Sequence, residues 1–237
     1  MKSYLLVHGA WHGAWAWEET RTALEAAGHR VETLDLPGHG QDTTDVKDVT
    51  FRGYVDAVKA TLSRSTGRQI LVGHSLGGTV VSQVAEEMPQ SVETLVFVSG
   101  FVLRADESLF DVMSADTGGT LLPKLIFTED QSAATVSFET LTSTVYNGGS
   151  EAQVSKAAPR LRPQATQPFF AHTTLTDANF GPIRKLYVEC DDDRLLSLEM
   201  QRTIEQRFGI TPLATLHCGH VPLVTAPGRL AEALARA

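Results

Sequence analysis

The stretch Gly73-His74-Ser75-Leu76-Gly77 decides how the rest of the chain is read. An apolar, β-branched run, Ile70-Leu71-Val72, precedes it, and an amphipathic segment with Val80, Val81, Val84, Ala85 and Met88 follows, closed by Pro89. Short apolar runs bounded by turn residues make buried strands, and apolar positions three and four apart make one face of a helix. The context is therefore strand, sharp turn, helix. The flanking glycines leave room where the chain reverses, so Ser75 can take a strained backbone conformation with its hydroxyl above the sheet. This pattern is a nucleophile elbow.

Two other glycine patterns fail on inspection. Gly73 and Gly78 have phosphate-loop spacing, but Thr79 stands where a lysine would have to reach the phosphates. Gly38-His39-Gly40 opens like a dinucleotide fingerprint, yet Thr43 occupies the place of the third glycine. No cofactor is expected.

A serine hydroxyl is a poor nucleophile near neutral pH and needs a base within hydrogen-bond reach, itself oriented by an acid. Behind an elbow of this kind the chain order is serine, acid, histidine. Of the eight histidines only His217 and His220 follow every plausible acid. His217 continues the apolar run from Leu213 to Leu216, read as the last strand, whereas His220 follows Gly219 in the loop beyond. Loops at the carboxyl ends of parallel strands are where side chains meet a bound substrate, so His220 is the expected base. The acid should leave the end of the preceding strand, Lys185 to Cys190, where Asp191, Asp192 and Asp193 follow in succession. Spacing does not choose among them. The run lacks the alternation and glycine of a calcium loop. Asp106, after the fourth strand, is a further candidate acid.

The segments Val7-His8-Gly9-Ala10-Trp11-His12-Gly13-Ala14-Trp15-Ala16-Trp17 and Leu34-Asp35-Leu36-Pro37-Gly38-His39-Gly40, with the elbow, resemble the α/β-hydrolase superfamily. Within it the chain is similar to the small branch of plant methyl esterases, salicylic-acid-binding esterases and hydroxynitrile lyases. Tyr187-Val188-Glu189-Cys190-Asp191-Asp192-Asp193, with Glu199-Met200-Gln201-Arg202, resembles that branch's acid motif, and Gly219-His220 its histidine motif. The resemblance spans nearly the whole chain, weakest in the middle third. It implies that Asp193 completes a triad with Ser75 and His220.

Charge on a tetrahedral intermediate calls for two preorganised NH donors, each worth about 3 kcal/mol. The Leu76 amide is one candidate, and the resemblance places the other at Ala10, in the loop after the first strand. Trp11, His74 and Val221, the sequence neighbours of Ala10, Ser75 and His220, are expected to contact substrate. His8 and His12 lie in a glycine-rich loop with no acidic ligand between them, so no metal is expected.

Hydroxynitrile lyases of the branch typically carry a threonine after the first-strand histidine and a lysine after the catalytic histidine. This chain has Gly9 and Val221, which offer neither hydroxyl nor positive charge to a departing cyanide. The expectation is a serine carboxylesterase for small, largely apolar esters. A hydroxynitrile lyase-like carbon-carbon lyase, and a small-molecule receptor retaining the triad, are the alternatives.

At 237 residues, 42% of them hydrophobic, the chain suffices for one large domain with a substantial core. A formal charge of -8 disfavours nucleic acid and anionic membrane surfaces as partners. A small-molecule ester is the expected partner, and a homodimer is left open. No apolar run approaches the roughly 20 residues of a membrane span. The apolar start flows into His8-Gly9, so its removal as a signal peptide would destroy the site; a cytoplasmic location is expected. Cys190 and Cys218 read as free thiols in a reducing compartment.

Six strands are expected near residues 3 to 7, 30 to 35, 69 to 73, 93 to 98, 185 to 190 and 212 to 217. Between them, helices are expected from Trp17 to Ala27, along the stripe Tyr54, Val55, Val58 and Leu62, from Ser197 towards Phe208, and after Pro227. This alternation is α/β: a mostly parallel six-stranded sheet in the order 2-1-3-4-5-6 with helices on both faces. Between Phe101 and Pro182 the alternation stops. Residues 1-101 and 182-237 read as the core and 102-181 as an inserted helical cap within one structural domain. Phe110, Met113, Leu121, Leu122, Phe127, Phe138, Leu141 and Tyr146 are cap candidates to face the site.

Overall fold

All six apolar runs are strands in the computed structural model, which describes residues 1–237. In chain order they are β1 (Ser3–Val7), β2 (Arg30–Thr33), β3 (Gln69–His74) and β4 (Val92–Val98), then, after three short strands of the insertion, β8 (Arg184–Cys190) and β9 (Thr211–Leu216). The insertion strands are β5 (Leu125–Phe127), β6 (Ala133–Val136) and β7 (Gln164–Ala165). The main sheet runs β2-β1-β3-β4-β8-β9, the expected order, with every neighbouring pair parallel. A parallel sheet is covered on both faces, which is why β3 carries the apolar run Ile70-Leu71-Val72 and is buried at every position.

Right-handed crossovers set the helix layers. From β1 the chain crosses leftward through α1 (Glu18–Ala26) to β2, then rightward through α2 (Phe51–Leu62) and α3 (Gly77–Glu87), which puts α1 on one face and the other two opposite. α2 packs on α3, and α1 packs on the last helix of the chain. Thr50 caps α2 by accepting from the Gly53 amide.

Register brings the functional ends together. Val7 pairs with Gly73, His74 with Val98, Val98 with Val188 and Cys190 with Leu216. The residues that follow each strand therefore emerge along one rim.

The insertion between β4 and β8 contains α4 (Leu109–Ala115), α5 (Phe138–Thr140), which runs into a π-helical turn at Leu141–Val145, and α6 (Glu151–Ala157). It is not only helical as expected: β5, β6 and β7 form a small antiparallel sheet. The turn joining β5 to β6 carries no glycine. Its left-handed position falls to Gln131 at φ 56, held by the Asp130 carboxylate accepting from the Ser132 amide and by the Ser132 and Thr128 hydroxyls. A hairpin without its usual glycine leaves no turn signature. One apolar cluster of 62 buried residues includes both sheet residues such as Val72 and Val96 and insertion residues such as Leu109, Val145 and Phe169, so the insertion shares the core.

The carboxyl-terminal elements are α7 (Leu198–Phe208), α8 (Pro222–Thr225) and α9 (Pro227–Leu234). Ser197 caps α7 by accepting from the Met200 amide, and Gly209 ends it at φ 60. No helix is long and apolar enough to cross a membrane.

Candidate active site

Ser75 sits between β3 and α3 with φ 52, in the left-handed region that an L residue occupies at a cost. Neighbours hold it there: its amide donates to the Val98 carbonyl at 3.2 Å, and its own carbonyl accepts from Gly78 at 2.9 Å and Phe101 at 3.1 Å. The approach of α3 to the loop after β1 requires glycine, because a Cβ at Gly77 would lie 2.7 Å from the His8 carbonyl oxygen.

The rim assembles three distant side chains. His220, in the loop between β9 and α8, places Nε2 2.9 Å from Ser75 Oγ and Nδ1 2.7 Å from Asp193 Oδ2. With Nδ1 carrying the proton donated to the carboxylate, Nε2 is free to accept from the serine hydroxyl. The imidazole is 2% exposed and the carboxylate 0%, so both interactions act in a dry setting.

Geometry separates the aspartates that spacing left equal. Asp193 turns back into its own loop, with Oδ1 accepting from the Leu195 and Leu196 amides at 2.7 and 2.9 Å. Asp192 accepts from the Asn147 amide, and Asp191 pairs with the exposed His217. Asp106 is 81% exposed at its side chain beside Arg104, far too solvated to be a buried orienting acid.

Ala10 and Leu76 lie on either side of the serine. Neither amide donates to any protein group. The Leu76 amide opens α3, whose macrodipole adds positive potential there. Histidines brace the loop behind Ala10. His8 donates from Nδ1 to the Gly9 carbonyl and accepts at Nε2 from the Leu36 amide at 3.0 Å. His12 Nδ1 donates to the Ala10 carbonyl at 2.7 Å, while its Nε2 accepts from the Tyr146 hydroxyl at 2.6 Å. Burial drives His8 down to about 4 and His12 down to about 3, so both rings are neutral hydrogen-bonding spacers at ordinary pH.

A small apolar cavity opens on Ser75, its only polar lining residue. Trp11, Met113 and Leu121, expected at the site, are among its walls; Phe101, Phe169 and Leu195 were not anticipated. Two residues expected to contact substrate are not among its walls. His74 is turned away, its Nε2 donating to the His220 carbonyl at 2.8 Å, and Val221 is wholly buried, its carbonyl accepting from the Val224 and Thr225 amides. Among the other cap candidates, Phe138 and Leu141 line a separate outer cleft, Phe127 is exposed and Phe110 stacks on Phe170.

Sequence reasoning also missed Ser99, the residue directly after β4. It is fully buried, with φ 41, and its hydroxyl donates to Asp193 Oδ2. The available signal was a lone polar residue directly after an apolar strand whose carboxyl end borders the elbow.

Comparison with known proteins agrees with this architecture. The chain is 29% identical over 241 residues to methyl jasmonate esterase 1 of Vitis vinifera, covering 95% of this chain and 92% of that one. It is 26% identical over 248 residues to methylesterase 9 of Arabidopsis thaliana, covering 99% and 97%. Among solved structures, a pyrethroid hydrolase from Sphingobium faniae JZ-2 superposes with a TM-score of 0.85 at 26% identity, over 99% of this chain and 96% of that one. The model of the alpha/beta hydrolase family matches residues 4–233, and the chain belongs to that family.

Proposed function

We propose that the protein is a cofactor-independent serine carboxylesterase for small, largely apolar esters. The observation that carries the reading is the hydrogen-bonded series from Ser75 through His220 to Asp193, set beside two amides without protein partners and opening on an apolar cavity. Ser75 Oγ attacks the ester carbonyl as His220 Nε2 takes its proton, and Asp193 holds the imidazolium that results. The Ala10 and Leu76 amides receive the oxyanion. His220 then protonates the departing alcohol, leaving an acyl group on Ser75. Water, deprotonated by the same imidazole, releases the acid and restores the serine. The names of the related methyl jasmonate esterase and methylesterase 9 support ester substrates.

Carbon-carbon lysis fits less well. A side chain at position 9 would place its Cβ 2.8 Å from Ser75 Cβ and 2.9 Å from His74 Nδ1, so the threonine associated with the lyases has no room. The cavity also has no charged lining group to meet a leaving cyanide. The test is a panel of methyl, aryl and longer-chain esters run beside mandelonitrile on purified protein. Multiple turnover of esters with no cyanide release is expected; cyanide release without ester turnover overturns the reading.

A further inference from the structure

Asp193 holds its four near partners unequally. Oδ1 is fixed by two backbone amides of its own loop, whereas Oδ2 is shared between His220 Nδ1 and the Ser99 hydroxyl. Ser99 Oγ also lies 3.3 Å from His220 Nδ1, so the three groups form a closed triangle. A hydroxyl has one proton to give, and both neighbours dictate its destination: Nδ1 already carries a hydrogen, and Oδ2 carries the charge.

The backbone is built to hold that hydroxyl in place. Ser99 has a positive φ, uncommon for a residue other than glycine, and its amide donates to the Val188 carbonyl at 3.0 Å, extending the β4–β8 pairing by one step. Its side chain is 0% exposed and does nothing else in the fold.

We propose that Ser99 is a positioning residue of the triad, its hydroxyl fixing Asp193 Oδ2 in line with His220 Nδ1–H and occupying the lone pair that would otherwise face a dry interior. This rests on the hydrolase reading above. Without the hydroxyl the carboxylate is pinned through Oδ1 alone and swings about that oxygen. Its charge is also less neutralised by donors, so it favours the protonated imidazole more strongly. The base then becomes available only at higher pH, and the acidic limb of the activity profile moves up.

All but one of the other groups around the triangle leave that limb clear. From β3, His74 is held neutral by burial, and His12, from the loop after β1, is driven down to about 3. Tyr187 of β8 is pushed well above its usual range by burial. At the strand ends, the Cys190–Cys218 hydrogen bond raises the Cys190 thiol and lowers that of Cys218, which bears on the alkaline side. Asp191 is engaged with His217; Glu205 of α7, behind Tyr187 and raised by burial to about 7, titrates in the range of the limb but is the same in the parent and the Ser99 variants, so the difference between them excludes it.

The test compares Ser99→Ala and Ser99→Gly with the parent protein. Glycine accepts the positive φ freely, so Ser99→Gly removes the hydroxyl while relieving strain, which keeps the experiment readable if Ser99→Ala folds poorly. Two pH profiles are measured: kcat/KM on p-nitrophenyl acetate, and the rate of Ser75 labelling by a fluorophosphonate, which reports serine reactivity whatever the natural substrate. The expected result in both variants is a fall of about tenfold in kcat and in labelling, with the acidic limb moved up by roughly half a pH unit or more. Ser99→Cys, with its weak donor, should recover part of both. An unmoved limb with rates within about twofold in Ser99→Gly overturns the proposal. Prompt labelling of the parent without ester turnover rejects the ester reading alone and leaves Ser99 to be judged on labelling; a parent protein not labelled at Ser75 overturns both.

Discussion

His74 Nε2 lies 2.8 Å from the backbone carbonyl oxygen of His220, so the residue directly before Ser75 braces the backbone of the histidine that faces it. Burial holds His74 well below the usual histidine range, keeping the ring neutral. The two loops that must meet are tied by a bond outside the proton-transfer path. His74→Leu leaves that carbonyl unpaired in the interior. A loss of about 1 to 3 kcal/mol in urea unfolding is expected, with kcat/KM down by roughly tenfold as the imidazole loosens.

Choosing among the carboxylates gives a separate prediction. Asp193→Asn keeps the shape but replaces the acceptor that holds the imidazole tautomer, and kcat on p-nitrophenyl acetate should fall by about four orders of magnitude. Asp191→Asn, Asp192→Asn and Asp106→Asn should each stay within about threefold, since all three are outside the buried relay. A large loss at Asp106 instead would reassign the acid.

Glu205 makes stability depend on pH. Burial, with a contribution from nearby Glu189, raises its carboxyl to about 7, and its Oε1 has no partner. The folded state therefore prefers the protonated acid more than the unfolded chain does. Its contribution is full below the ordinary glutamate range near 4.5 and is lost as pH rises through about 7. Glu205→Gln should match the parent near pH 4.5 and be more stable at pH 8.5, by on the order of 1 to 2 kcal/mol. Thermal unfolding at the two pH values measures this.

The cavity sets a size limit. Met113 and Leu121 wall it with Trp11 and Phe169, so the apolar side chains that close around Ser75 limit the length of the acyl or alcohol group. Met113→Ala should raise kcat/KM for hexanoate relative to acetate p-nitrophenyl esters by about tenfold, in line with roughly 1 to 3 kcal/mol per methylene in an apolar pocket. An unchanged ratio would place the discriminating wall elsewhere.

The sheet was legible because parallel strands buried on both faces write themselves as continuous apolar runs, as in Ile70-Leu71-Val72, and helix ends such as Ser197 and Gly209 carry their caps in sequence. Ser75 and His220 were legible from context and order. Asp193 needed family resemblance, because three adjacent aspartates differ only in which way a loop turns. The insertion resisted: its hairpin bends at Gln131, and the walls Phe169 and Leu195 come from segments without periodicity. His74 and Val221 lie outside the cavity lining, because adjacency in sequence does not say which way a side chain points.

The central claim is that Ser75 Oγ, 2.9 Å from His220 Nε2, is the nucleophile. Its most direct test is the hydrolysis rate of purified Ser75→Ala on p-nitrophenyl acetate, with circular dichroism to confirm the fold. A fall of roughly four to six orders of magnitude in a folded protein is expected; turnover within tenfold of the parent would contradict the account.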